Sequence, residues 1–311
     1  MSDKKVNLNI VAGFLGAGKT TLINKFLAEA FTGEKVAILE NEMGEIGIDG
    51  DLLPAAMTVR EILNGCICCT LQGDFIQGIK ELVSVYQPDR IIIEPTGAGN
   101  LVDVINVCHD AEKQAPVRLE TILTVVNAPL VLLYLEACGE FYKDQIRYSP
   151  LIVLSAVQKL GNKSPPLADI QKEIRKLNPH APILTKNWDQ MDSMEIITLA
   201  EEAASDINGA SEPQHEHHHH HEEEGGFEAY SFIIQENWKM EDLKRFIVEL
   251  RDRNYGEVFR AKGFIPFTDG FHKVDYVYGN DEIVASDYQG QGKFVVIGKG
   301  LNWEKLASCL K

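Results

Sequence analysis

No stretch of this 311-residue chain is long and apolar enough to span a membrane, so a bilayer-embedded protein is not expected and no membrane partner is inferred. A secretory leader is missing too. Met1-Ser2-Asp3-Lys4-Lys5 runs straight into an apolar segment, which makes cytoplasmic residence the expectation. Basic charge is in short supply: 30 Lys and Arg stand against 46 Asp and Glu, a formal net charge of −16. Phosphate backbones attract basic faces, so nucleic acid is not an expected partner. Cysteine is scarce, and in a reducing compartment the six present read as thiols or metal ligands instead of a disulfide framework. Cys108, Cys138 and Cys309 fall in apolar or amphipathic segments and read as core residues, whereas Cys66, Cys68 and Cys69 stand together.

What is present begins at Gly13-Phe14-Leu15-Gly16-Ala17-Gly18-Lys19-Thr20-Thr21, which fits the phosphate-loop pattern G-x-x-x-x-G-K-[ST]. Asn9-Ile10-Val11-Ala12 before it suits a buried strand, and Thr21 to Leu27 after it carries helical apolar spacing. Glycines let the backbone curl so that successive N–H groups face phosphate oxygens, and a helix amino end adds partial positive charge. Gly13, Gly16, Ala17, Gly18, Lys19, Thr20 and Thr21 are therefore the expected nucleotide contacts. Lys19 is expected to reach the β- and γ-phosphates, and the Thr20 hydroxyl to ligate Mg²⁺.

Further apolar runs read as strands at Val36–Leu39, Thr58–Ile62, Arg90–Ile93, Ile122–Val126 and Leu151–Leu154, with helix-like stretches at Asp74–Val85, Leu101–His109 and Leu167–Leu177. This alternation predicts an α/β fold, a mostly parallel sheet covered on both faces, over residues 1–208. Residues 209–226 hold almost nothing apolar and read as a His/Glu-rich flexible linker. Residues 227–311 read as a small α+β domain, with strands at Glu228–Ile234 and Phe294–Ile297 and helices at Met240–Arg251 and Trp303–Leu310.

Gly65-Cys66-Ile67-Cys68-Cys69-Thr70 is the second concentrated signal. Thiolates bind Zn²⁺, Co²⁺ and other borderline or soft ions, and an irregular backbone lets three in four residues converge. A buried small-residue turn and a redox disulfide are the competing readings. Between the phosphate loop and the thiols, Glu40 to Gly50 carries carboxylates that suit Mg²⁺ or a further ligand to a thiol-held metal, with a solvated acidic loop as the alternative. Ile91-Ile92-Ile93-Glu94-Pro95-Thr96-Gly97 ends a strand on an acid where a Mg²⁺-side or water-positioning carboxylate is needed; a structural acid is the other reading. Gly97 would let its N–H approach the γ-phosphate.

In their order along the chain, G-F-L-G-A-G-K-T-T, N-E-M-G-E-I-G-I-D, G-C-I-C-C-T, E-P-T-G, the His-rich linker and Arg260-Ala261-Lys262-Gly263-Phe264 resemble the CobW-like family of P-loop GTPases. That resemblance implies a GTP-hydrolysing metallochaperone, using GTP and Mg²⁺ and carrying Zn²⁺ or Co²⁺ to a client metalloprotein or an enzyme of a metal-cofactor pathway; no built-in arginine finger is visible, so slow turnover is expected. It implies no particular oligomeric state. Lys19, Thr20, Asp49, Glu94 and Gly97 become the expected catalytic and switch residues, and Cys66, Cys68 and Cys69, with Glu42 nearby, the transition-metal ligands. Nucleotide would order the segment from Glu42 to Asp49 and so change what the thiols offer the ion. Packing is the expected role of Arg260 to Phe264.

One segment departs from the family pattern. Where members read guanine with N-K-x-D after a strand, this chain has Ser155-Ala156-Val157-Gln158, so Ser155 and Gln158 are the expected base-side residues and guanine preference is expected to weaken. Asn127 also stands where the family often carries Asp. His215, His217, His218, His219, His220 and His221 suit loose capture of Zn, Ni, Co or Cu, against the reading of a plain hydrophilic spacer. Three rival functions stay open: a small-molecule kinase, disfavoured because no arginine-rich lid is visible; a metal buffer or storage protein with weak nucleotide binding; and a corrinoid-related accessory factor.

Overall fold

The computed structural model describes residues 5–42, 58–63, 72–95, 100–138, 140–161, 164–209, 227–277 and 280–310. They fall into two compact units, one ending with residue 209 and one beginning with residue 227.

The first unit alternates strands and helices: β1 (Val6–Gly13), α1 (Lys19–Glu29), β2 (Val36–Glu42), β3 (Thr58–Leu63), α2 (Gln72–Glu81), β4 (Arg90–Glu94), α3 (Leu101–Glu112) and β5 (Val117–Asn127). It continues with α4 (Val131–Ala137), α5 (Glu140–Arg147), β6 (Leu151–Ser155), α6 (Leu167–Leu177), β7 (Ile183–Leu184) and α7 (Ser193–Gly209). The strands form one sheet in the order β3-β2-β4-β1-β5-β6-β7, and every recorded pairing within it is parallel. β4 and β6 are buried at every residue, as expected of strands covered on both sides. Leu8, Ile10, Leu39, Ile91 and Ile93 pack with Ile79 and Val104 on one face. Val11, Ile38, Ile92, Val125 and Val153 pack with Leu22, Phe26, Ile197 and Ala200 on the other. The α/β sheet expected from the alternation is therefore present.

Order within the sheet positions the site. The chain builds outward from β1 on one side, then returns through β5 to the other, and crevices for ligands form at the carboxyl ends of strands where such a reversal occurs. The helix predicted over 74–85 departs from α geometry: α2 gives way to a π-helical turn at Leu82–Tyr86, closed by Gln87 at φ 47°. Among the described residues no helix is long and apolar enough to cross a membrane.

The second unit is an antiparallel sheet of β8 (Phe227–Ile234), β9 (Glu257–Phe267), β10 (Gly270–Val277), β11 (Asn280–Ser286) and β12 (Gly292–Lys299) in the order β11-β10-β9-β12-β8. Helices α8 (Met240–Glu249) and α9 (Trp303–Cys309) contribute Leu243, Phe246 and Leu306 to a core with Phe232, Val274, Tyr276, Phe294 and Val296. In the Arg260–Phe264 run, Arg260 pairs with Asp275 at 3.2 Å and the Phe264 ring stacks on Tyr288 with centroids 4.1 Å apart. A Cβ at Gly263 would lie 2.1 Å from the Lys293 carbonyl oxygen, so only glycine fits there.

Candidate nucleotide site

β1 delivers the chain to Gly13, whose φ of 143° favours glycine; an added Cβ would lie 2.4 Å from the Val125 carbonyl oxygen on β5. The loop then turns through Ala17, which donates its N–H to the Phe14 carbonyl at 3.1 Å. It enters α1 at Gly18 with φ 100°. No side chain caps α1 and no acid lies in its first turn, so its amino-end N–H groups are presented to an anion. The loop is anchored from behind. Phe14 is buried edge-on against Tyr134 and Tyr142, with centroids at 4.8 and 5.4 Å, tying the phosphate loop to α4 and α5.

Lys19, Thr20 and Glu94 meet at the amino end of α1. Lys19 Nζ lies 3.6 Å from Glu94 Oε1, with both side chains more than nine-tenths buried. The Thr20 hydroxyl lies 3.3 Å from each Glu94 oxygen, close enough to donate a long hydrogen bond. Thr21 follows in the first turn and is exposed. Glu40, the first carboxylate of the acidic segment read from the sequence, is buried. It is the register partner of Glu94 on the adjacent parallel strand, so the two carboxylates leave the sheet on one face. A hydroxyl and carboxylate oxygens are the hard donors Mg²⁺ requires, and a buried ammonium beside uncapped helix N–H groups suits a polyphosphate. The residues present fit both groups.

The other flank lies at β6 and β7. A Cβ on Gly18 would sit 3.7 Å from Ser155 Cβ and 3.9 Å from Trp188 Cζ2, so the loops after β6 and β7 converge on the start of α1. Ser155 is buried, Ala156 adopts φ 55°, and Gln158 and Lys159 lie exposed on the short 3-10 turn that follows. Asn127, register partner of Ser155, places its amide nitrogen 3.5 Å from the Gly16 carbonyl. Trp188 is buried, and its indole N–H has no hydrogen-bond partner among the described residues. Trp188 was missed because a lone tryptophan in a polar stretch carries no motif; its place beside Gly18 exists only in three dimensions.

The remaining expected residues fall elsewhere. Glu42 closes β2 opposite Leu63 of β3. Asp49, Gly97, Cys66, Cys68, Cys69 and the histidines at 215 and 217–221 lie outside the described residues. Among the described residues no three His, Cys, Asp or Glu side chains gather in a way that could hold a metal ion. Cys108 and Cys138 are buried, and burial pushes the Cys108 thiol well above its ordinary range. Both are core residues as expected, while Cys309 is half-buried.

A glycine cradle ahead of an uncapped helix, with the following Lys and Thr facing a strand-end carboxylate, defines a P-loop nucleoside-triphosphate-binding protein. Residues 7–185 match the CobW/HypB/UreG nucleotide-binding domain and residues 227–311 the cobalamin synthesis protein cobW C-terminal domain, and the chain belongs to that family. It is 30% identical to the zinc chaperone CobW of Pseudomonas aeruginosa, covering 84% of this chain and 76% of that one. It is 36% identical to the zinc chaperone YeiR of Escherichia coli over 47% of this chain and 44% of YeiR, less than half of that relative's length. A third relative, the zinc-regulated GTPase metalloprotein activator 1 of Dictyostelium discoideum, is 24% identical over 84% of this chain and 63% of its own. Among solved structures, Zn(II)-bound YjiA GTPase from Escherichia coli aligns over 99% of both chains with a TM-score of 0.45 and 18% identity.

Proposed function

We propose that the protein is a cytoplasmic GTPase that couples nucleotide state to the binding and delivery of a transition metal, zinc or cobalt, to a client metalloprotein. The observation that carries the nucleotide half is the convergence of Lys19, Thr20 and Glu94 on the uncapped amino end of α1. The metal half is supported by the names of the zinc-chaperone relatives and by the thiols of Cys66, Cys68 and Cys69.

Each residue has a chemical task in this reading. Gly13 to Gly18 wrap the phosphates with backbone N–H groups, and Lys19 trades its contact with Glu94 for phosphate oxygens. Thr20 and Glu94 would hold Mg²⁺, which supplies charge neutralisation at the phosphates. Glu94, with Asp49 and the Gly97 N–H, orients the attacking water. Turnover is expected to be slow in this reading, because the sequence shows no built-in arginine finger. Adjacent strands lead to the two proposed sites, which supports their coupling: Glu94 ends β4, Glu40 and Glu42 lie on the neighbouring β2, and Cys66 follows the last residue of β3 by three positions in sequence. The histidines from His215 to His221 concentrate metal loosely.

Linkage is reciprocal, so nucleotide must alter metal affinity by the factor by which metal alters nucleotide affinity. Zinc titrations with and without Mg²⁺–GTP are expected to differ by about 5- to 150-fold. Lys19→Ala is expected to abolish that difference while leaving zinc binding itself in place. Equal zinc affinity with and without nucleotide in the unaltered protein would reject the coupling.

A further inference from the structure

The phosphate end of the site faces β4 and β2, where Lys19, Thr20 and Glu94 meet. A nucleotide lying along α1 therefore carries its base toward the opposite flank, the loops after β6 and β7. There Ser155 and Trp188 stand against Gly18, and the first side chain beyond them that is both exposed and able to read a base edge is Gln158. It makes no hydrogen bond among the described residues.

Guanine offers two neighbouring donors, N1–H and the 2-amino group, and a carboxylate accepts both. A carboxamide has one acceptor and one donor group, so its complementarity differs. Set against guanine, it accepts from N1–H and donates to O6, leaving the 2-amino group unread. Turned over about its last torsion, it accepts from the adenine 6-amino group and donates to N1. Each purine thus receives two hydrogen bonds from the same side chain. Pyrimidines, lacking the fused five-membered ring, hold their corresponding edge closer to the sugar and out of that reach.

We infer that this chain's base subsite, built by Gln158 beside Ser155 and Trp188, takes purine nucleoside triphosphates as a class: it admits ATP alongside GTP and is blind to the 2-amino group that marks guanine. The inference rests on the phosphate-loop reading above and names the substrate class of that site.

The test is a competition titration on the full chain with Mg²⁺, displacing a fluorescent GTP analogue with GTP, ITP, ATP, CTP and tripolyphosphate. ITP is guanine's nucleotide without the 2-amino group. ITP is expected within about 10-fold of GTP, since one unread amine carries no more than a single lost hydrogen bond. ATP is expected within about 100-fold, far short of the 10⁴- to 10⁵-fold rejection that a dedicated hydrogen-bonding site produces. Gln158→Asp is expected to favour GTP over ITP by a further 10- to 100-fold, on the order of one added charge-assisted hydrogen bond. Exclusion of ATP or of ITP beyond those limits, CTP binding as well as ATP, or no change in Gln158→Asp would each overturn the inference. If no nucleotide binds and tripolyphosphate is silent as well, the phosphate-loop reading itself fails and takes this one with it.

Discussion

Replacing Glu94 with glutamine keeps its shape and removes one charge from a buried pair. At the observed 3.6 Å separation and an effective dielectric constant near 20, the Lys19–Glu94 attraction is about 4–5 kcal/mol before desolvation. Breaking one side of such a pair generally costs about 3–5 kcal/mol, because the surviving charge stays buried. The Thr20 contacts are long at 3.3 Å, and glutamine retains an acceptor for the hydroxyl, so they change little. Since Lys19 has other interactions, a loss of about 2–4 kcal/mol in the ligand-free protein is expected. With nucleotide bound and Mg²⁺ withheld, so that the role of Glu94 toward that ion does not enter, the ammonium has phosphate oxygens to face, and the variant should lose less. That difference must reappear as tighter binding, about 30-fold for 2 kcal/mol. Hydrolysis should fall by about 10²-fold or more if the carboxylate orients water. Urea unfolding followed by circular dichroism, with and without nucleotide, gives the stabilities, and titration calorimetry gives the affinity. Ligand-free stability within about 0.5 kcal/mol of the parent, together with unchanged or weaker nucleotide binding, would refute the reasoning.

Gly13→Ala should destabilise the first unit by about 3 kcal/mol or more, since an L side chain at φ 143° with its Cβ 2.4 Å from the Val125 oxygen forces β1 and β5 apart; unfolding that matches the parent would argue against the geometry. Burial raises the pKa of Asp103 above the ordinary carboxylate range. The folded state therefore holds that proton more tightly than the unfolded one, and its contribution to stability declines as pH climbs from the ordinary value through the raised one. Asp103→Asn should flatten that part of the stability–pH curve, and an unchanged slope in denaturant titrations between pH 3 and 6 would count against the burial argument.

The phosphate loop was legible because its glycines answer a local backbone demand that spelling alone reveals: Gly13 and Gly18 do adopt the conformations that favour glycine. The α/β class was legible because β4 and β6, covered on both faces, read as unbroken apolar runs. Strand order was not. Alternation says nothing about β4 inserting between β1 and β2, and that insertion alone makes Glu40 and Glu94 neighbours. Trp188 and the Phe14–Tyr134–Tyr142 cluster stayed hidden for the same reason, since their partners are far away in sequence. In the second unit, the hairpins from β9 to β11 were missed; Gly263 and Pro266 interrupt the alternating pattern by which β9 would have been found.

Strand β4 shows how the fold holds the site in place. Its last residue is Glu94, and its first, Arg90, is a buried cation at the opposite end of the sheet. Arg90 donates to Glu34 at 2.8 Å, to Asn9 at 2.7 Å and to Glu120, with its guanidinium 4.1 Å from the centre of the Phe31 ring. Burial works against that charge, but the carboxylates of Glu34 and Glu120 outweigh it and the guanidinium pKa is raised. Asn9 in turn donates to Thr121, so β1, β4 and β5 are cross-linked at one level by groups that satisfy one another. A strand of five residues fixed so firmly at its amino end has little freedom at its carboxyl end. Glu94 is thereby held within reach of Lys19 and Thr20 from the far end of its own strand. Weakening Arg90 should therefore loosen the site from the far side of the sheet, through strand position and not through charge.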